Sequence, residues 1–241
     1  MMTILKSATT KARIDYQLKK PHWIALIVLA VAIAFASIHP LELSSYILHQ
    51  VGTVFMLVTL IICLYKMGLS LISFILYIGF LLIHILGAHY LYSYVPYNEW
   101  SMQYLNFDLN QSLGWTRNMY DRFVHLAYGL LLYPFFYRLF QVWLPQLSKL
   151  TLFLLVIQFV MASSLIYEWI EWFIAMGLSP EDAENYNGQQ GDIWDAHQDM
   201  LLATVGAIIT GIACLLKKVV ILPTIRLAQQ LTTIQDSFKH K

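Results

Sequence analysis

Charge is scarce in this chain. Asp, Glu, Lys and Arg together make up 12% of its 241 residues, about half the share of a soluble domain. With 59% of the residues hydrophobic and a mean hydropathy of +0.60, a water-soluble globular domain is excluded. Cysteine is almost absent: Cys63 and Cys214 both lie inside apolar runs and read as small hydrophobes, which excludes a disulfide framework or a cysteine-ligated metal. No internal repeat, low-complexity tract or domain boundary interrupts the sequence, and it contains no nucleophile motif or complete catalytic signature. The few basic residues read as topology signals, so nucleic acid is not among the expected partners.

What is abundant is apolar sequence in runs. Six segments, at about 22–40, 46–66, 69–92, 123–144, 150–177 and 199–217, approach the roughly 20 residues that a bilayer crossing needs. In lipid the backbone must satisfy its own hydrogen bonds. The expected fold class is therefore all-α: a polytopic membrane protein of six transmembrane helices, one integral-membrane domain over 1–241 with the lipid bilayer as its solvent. Ala34-Phe35-Ala36 resembles a signal-peptidase site, but the polar leader through Lys19 and Lys20 is long for a signal peptide, so the first span is read as retained. After the last span, 218–241 reads as a mildly amphipathic cytoplasmic tail, interrupted by Pro223 and suited to the inner leaflet.

The charges orient the bundle. With the N-terminus placed in the cytoplasm, only Arg117 and Arg122 of the 15 basic residues fall outside, a strong positive-inside bias that puts both termini in the cytoplasm. The 14 acidic residues sort the other way, with only Asp15 and Asp236 inside. Two arginines do not neutralise the acids around them, so the remaining outer carboxylates are expected to be solvated, protonated or bound to cations. The inner connections are short, whereas the outer ones around 93–122 and 178–198 are long and rich in Trp, Tyr, Asn and Gln. Connections of that length are usually functional or disordered, and their aromatic content favours an ordered, outward-facing site. Most of Tyr90, Tyr92, Tyr94, Tyr97 and Trp100 read as an interfacial belt.

Three stretches carry candidate chemistry. At the start of the fourth span, Asp121 and His125 stand four apart on one helix face. That pair suits proton transfer, two metal ligands, or a plain ion pair with Arg122 or Arg117. In the fifth span Glu168 and Glu171 share a side of the helix, with Glu168 roughly 13 Å below the outer end counted from Gly177. An ionised carboxylate facing lipid costs roughly 2.5–3.5 kcal/mol or more, so both must face the protein interior. Asp192, Asp195 and Asp199 follow steps of three and four at the mouth of the sixth span, flanked by His197 and Gln198. Capping explains Asp192 and extends to Asp195, but Asp199 lies a turn deeper among apolar residues. His84 and His89 are five apart and point about 140° from each other. His89, nearer the outer surface, is the candidate contributor, and His84 reads as packing.

Together Asp121, His125, Asp195 and Asp199 suit a divalent metal such as Mg²⁺, Mn²⁺, Ca²⁺ or Zn²⁺, with His125, Glu168 and Glu171 as acid–base candidates. His89, Arg122, Asp192 and His197 are further possible contributors. A metal would supply the charge that lets three aspartates coexist.

These stretches resemble the YjdF family of bacterial inner-membrane proteins, in GAHYLYSYVP (87–96), YDRFVHLAYGLLLYP (120–134), YEWIEW (167–172) and GQQGDIWDAHQDMLLATVGA (188–207). The resemblance implies a six-span bundle and brings no activity. A more distant likeness is to VanZ-like proteins, in which an acid–basic–x–x–His pattern precedes an intramembrane Glu and an Asp opening the last span. Asp121-Arg122-Phe123-Val124-His125, Glu168 and Asp199 fit that pattern, as does Gly206, while Ala203 stands where Asn is common. This likeness points by analogy to a cell-envelope or lipid substrate. The expected function is a divalent-metal-assisted enzyme acting on a lipid or lipid-linked envelope component. The alternatives are a proton- or ion-coupled transporter using Glu168 and Glu171, and a non-catalytic scaffold.

Overall fold

The computed structural model describes residues 14–179, 183 and 186–216. The chain is a bundle of apolar helices: α1 (Lys20–Ala36), α2 (Leu43–Met67), α3 (Leu71–His89), α6 (Tyr120–Trp143), α7 (Lys149–Gly177) and α8 (Asp195–Leu216). Two short helices, α4 (Tyr97–Leu105) and α5 (Leu109–Leu113), lie in the connection between α3 and α6. Five helices are long and apolar enough to cross a membrane, and α1, with 17 residues, is shorter. Strand structure among the described residues is one antiparallel two-residue pair, β1 (Ile14–Asp15) with β2 (Leu69–Ser70). The tail at 218–241 and the acids Glu181, Asp182 and Glu184 lie outside the described residues.

Successive helices run in opposite directions, so the bundle has an acidic end and a basic end. The ends of α1 and α3 and the start of α2 meet at the acidic end, where His89 Nδ1 donates to Ala36 O (2.8 Å) and Leu41 N to His89 O (3.0 Å). At the basic end Arg138 donates to Gly68 O (3.0 Å) and Met67 O (2.7 Å), closing the C-terminus of α2. Glu42 starts α2 by accepting from Ser44 N (2.9 Å) and Ser45 N (2.6 Å). The Ser44 side chain and the Ser45 backbone together hold its carboxyl down at about 2. Asp108 starts α5 by accepting from Gln111 N. Two of the acids on this end thus serve as helix caps.

Helix ends depart from the expected spans for local reasons. The third helix stops at His89, short of 92, because Leu91 and Tyr92 take positive φ (52° and 54°) and fold back. A Cβ on Gly87 would meet the Tyr92 ring at 2.7 Å, so glycine is what admits the fold-back. The last helix begins at Asp195 instead of 199, which puts Asp195 and Asp199 on the same helix one turn apart.

The central helix α3 packs on α1, α2 and α6, and 56% of its span is buried, against 22–28% for α2, α7 and α8. The latter three present most of their surface to lipid. The tightest approach joins α6 to α8. A Cβ on Gly129 would sit 1.9 Å from Ala203 O, and one on Gly206 2.3 Å from Leu126 O. Small residues let the two backbones touch, the usual means of helix association in lipid.

Pro134 lies inside α6 and has no N–H to give Leu130 O, its partner four residues back. In lipid that carbonyl needs another donor, and Thr210 Oγ1 of α8 supplies it at 2.8 Å. Thr210→Val is expected to lower thermal stability in detergent by about 1 kcal/mol. Adding Pro134→Ala, which restores an in-helix donor, should recover most of the loss. If Thr210→Val costs as much in the Pro134→Ala background as in wild type, Thr210 is not the proline's compensating donor.

Candidate functional site

The site forms where α6, α7 and α8 meet at the acidic end. Asp121 and His125 point inward from the first turns of α6, with His125 Nε2 3.8 Å from Asp121 Oδ1. Glu168 reaches in from α7 and brings Oε1 to 3.8 Å from the same nitrogen. Asp199 completes the group from α8. One ligand atom from each of Asp121, His125 and Asp199 lies within 4.8 Å of the others. An ion bound at 2.0–2.6 Å bridges ligand atoms separated by up to roughly 5 Å, so the three can share one cation. His125 and Asp199 are 8% and 2% exposed.

The remaining aspartates at the mouth of α8 have other partners. Arg117 donates to Asp195 Oδ1 (2.7 Å) and to the backbone carbonyls of Gln189 and Gly188. Arg122 donates to Asp192 Oδ2 (2.5 Å) and also reaches Asp195 Oδ1 (3.5 Å). Gln190 ties the same loop to the α5–α6 connection, accepting from Asn118 N and donating to Asn118 O. The arginines thus clamp Asp192 and Asp195 and fix the start of α8. Asp199 Oδ1 and Glu168 Oε1, both buried, have no hydrogen-bond partner among the described residues. An ionised carboxylate left this way in a low-dielectric interior costs several kcal/mol.

The sequence-derived candidates therefore divide. Asp121, His125, Asp199 and Glu168 come together. Asp195 lies beside them but bonds Arg117, and Asp192 bonds Arg122 and caps Trp194 N (2.9 Å). Glu171 lies one turn beyond Glu168 on α7, near the Tyr167 side chain. His197 is exposed and stacks edge-on against Trp194 at 5.3 Å. His89 is committed to Ala36 O and stands apart from the cluster.

Next to the cluster is a cavity of about 490 Å³ bounded by α2, α3, α6 and α7, with Asp121 and His125 in its wall. His84, which the sequence suggests is a packing residue, lines this cavity together with His49, Tyr92 and Tyr186. The geometry fixes their tautomers. A carbonyl only accepts, so His84 Nε2 donates to His49 O (3.3 Å) and His84 Nδ1 accepts from Tyr92 OH. By the same reasoning His49 Nδ1 donates to Ser45 O (2.7 Å), which leaves Nε2 as that ring's acceptor. Sequence reasoning missed His49, and it offered Arg117 as an ion-pair partner of Asp121, whereas Arg117 bonds Asp195. A histidine inside an apolar span was the available signal for His49.

The chain belongs to the family of predicted membrane proteins DUF2238, which matches residues 21–218 and so includes every residue of the site. It is similar to the inner membrane protein YjdF of Escherichia coli (strain K12), at 30% identity over 131 residues. That alignment covers 54% of this chain and 58% of the relative, so the chain spans little more than half of the relative's length. The YjdF-family resemblance read from the four stretches is borne out. No solved structure matches.

Asp192 lies outside the membrane-spanning helices, and its carboxyl is held below its ordinary value by the Trp194 N–H, with Arg122 and Arg117 adding to the effect. A lowered folded-state pKa contributes stability that is complete above the ordinary carboxylate range and disappears as pH falls through the lowered value. Asp192→Asn, which keeps the acceptor for Trp194 N, should melt a few degrees below wild type at neutral pH at most. The two melting curves should converge as the buffer is taken to acid. A difference that persists undiminished at low pH would show that the Asp192 charge is not what the arginines hold.

Proposed function

We propose that Asp121, His125 and Asp199 bind one divalent cation, and that the protein is a metal-assisted enzyme acting on a lipid or lipid-linked component of the cell envelope. The observation that carries this reading is the buried Asp199 carboxylate, whose Oδ1 has no hydrogen-bond partner among the described residues and which faces a second carboxylate and an imidazole at ligand spacing. Both nearby arginines are committed to Asp192 and Asp195, so a cation is the simplest source of the missing charge. Carboxylates with one imidazole suit Mg²⁺, Mn²⁺ or Zn²⁺. His125 would then be one of the residues that hold the cation, which would supply Lewis-acid chemistry to a scissile group, and Glu168, 3.8 Å from His125, is placed to accept a proton from a nucleophile. Asp195 and Asp192, with Arg117 and Arg122, position the start of α8, and Glu171 supports Glu168.

In this reading all six apolar helices cross the inner membrane and the termini are cytoplasmic. Lys19, Lys20, Lys66, Arg138 and Lys149 gather at the opposite end from the site, which then faces outward. The VanZ-like spacing of Asp121, His125, Glu168 and Asp199 adds the analogy with envelope chemistry. Transport is less well supported, because the cavity reaches only from the acidic end to about mid-bundle, its deepest residue on α2 being Met56.

Elemental analysis of protein purified in mild detergent tests the proposal. Wild type should carry about one divalent metal per chain. Asp199→Ala and His125→Ala should lose it while remaining folded by thermal melt, and Glu168→Gln should retain it. Wild type that stays metal-free after reconstitution with added Mg²⁺, Mn²⁺, Ca²⁺ and Zn²⁺ would overturn the metal mechanism.

A further inference from the structure

We propose that the cavity beside the cluster receives the hydrocarbon chain of a single polar-headed lipid, which enters sideways from the bilayer between α2 and α7. The chemistry at the head end rests on the function proposed above, whereas the route rests on geometry alone.

Two kinds of wall enclose the cavity. On the inner side, Phe80 of α3 and Val124 of α6 are buried in the bundle, 6% exposed each. On the other side the lining residues are themselves on the outer surface. Val51 and Phe55 of α2 are 64% and 72% exposed, and Ile166 and Ile170 of α7 are 52% and 47% exposed. A residue that both lines a cavity and faces lipid marks an opening. The helices α2 and α7 are each held by neighbours, α2 by α3 and α6 and α7 by α6, and are not closely packed on each other. Gly52 lies on this rim, and a Cβ built there meets no atom within 4 Å. The gap is therefore open space bordered by apolar side chains.

Its depth selects the visitor. Gly52 lies nine residues into α2 from Leu43, roughly 14 Å along the axis, and Ile170 lies seven residues from Gly177, roughly 10 Å. Both positions are within the hydrocarbon of a bilayer whose apolar core is about 30 Å thick. At the acidic end Tyr92 and Tyr186, both buried, roof the cavity, held by the Tyr92–His84 hydrogen bond and by stacking on His49 at 5.1 and 4.8 Å. A water-soluble ligand meets this roof, while a lipid chain meets an open slot of matching polarity. The volume of about 490 Å³ falls within the range of single-ligand pockets. Asp121 and His125 mark the polar end, where a cation-bound head would sit. The acceptor nitrogen of His49 suits a hydroxyl or amide N–H at the junction of head and chain.

The test uses the full chain reconstituted in phosphatidylethanolamine/phosphatidylglycerol vesicles. A trace of lysophosphatidylethanolamine carrying a diazirine midway along its chain is added, and adducts are mapped by peptide mass spectrometry after photolysis. Adducts are expected on the interior residues Phe80 and Val124, as well as on bilayer-facing residues such as Val54 and Val58. Gly52→Phe should plug the slot and reduce the interior adducts about tenfold, leaving the adducts at Val54 and Val58, the melting temperature and the metal content unchanged. Asp199→Ala should lose metal yet keep the interior adducts, so a failed metal proposal and a failed portal give different results. Interior residues that stay unlabelled in wild type, or that label equally in Gly52→Phe, would overturn lateral entry.

Discussion

The structure depends on one constraint: several carboxylates are gathered at the end of an apolar bundle, and among the described residues two guanidinium groups reach them. Arg117 and Arg122 come from the segment that opens α6, and both reach across to the loop before α8. They neutralise Asp192 and Asp195 and, through the carbonyls of Gly188 and Gln189 and the Gln190–Asn118 pair, hold that loop against the bundle. Anchoring the first turn of α8 also sets its rotation, and the rotation decides where Asp199 points. The arginines therefore shape the candidate site without entering it.

Further along the same two helices the contact becomes backbone to backbone. Gly129 and Gly206 bring α6 and α8 together more closely than any larger side chain would allow, and the Thr210–Leu130 bond uses the acceptor that Pro134 leaves free. A charge clamp at the mouth and a small-residue seam below it fix one interhelical geometry. His125 and Asp199 face each other within that geometry, so fold and site share their determinants.

Much of this is legible in the sequence. Apolar runs locate the six helices, because burying a backbone in lipid leaves few alternatives. The helical spacing of Asp121 with His125, and the depth of Glu168, identify residues that do converge. Spacing defines a helix face but not which neighbour that face meets. For that reason it groups Asp195 with Asp199, although one turn separates an arginine partner from a position facing His125. It is also why nearness to the outer surface favours His89 over His84. The third helix ends early at His89 and the chain folds back through Leu91 and Tyr92, which carries Tyr92 onto His84 and leaves His89 at the junction with α1. Positive φ at two non-glycine residues has no signature in composition or periodicity. The lipid-facing gap between α2 and α7 is equally hidden, since it is a property of two helices that are not closely packed on each other.

The central claim is that a cation completes the cluster, and crystallographic anomalous scattering from protein grown with Mn²⁺ addresses it most directly. The account predicts one anomalous peak enclosed by Asp121, His125 Nε2 and Asp199, about 2.0–2.6 Å from each ligand atom. A map without density there, in crystals where Asp199 Oδ1 instead accepts a hydrogen bond from a protein group, would contradict it and mark the cluster as a buried polar network.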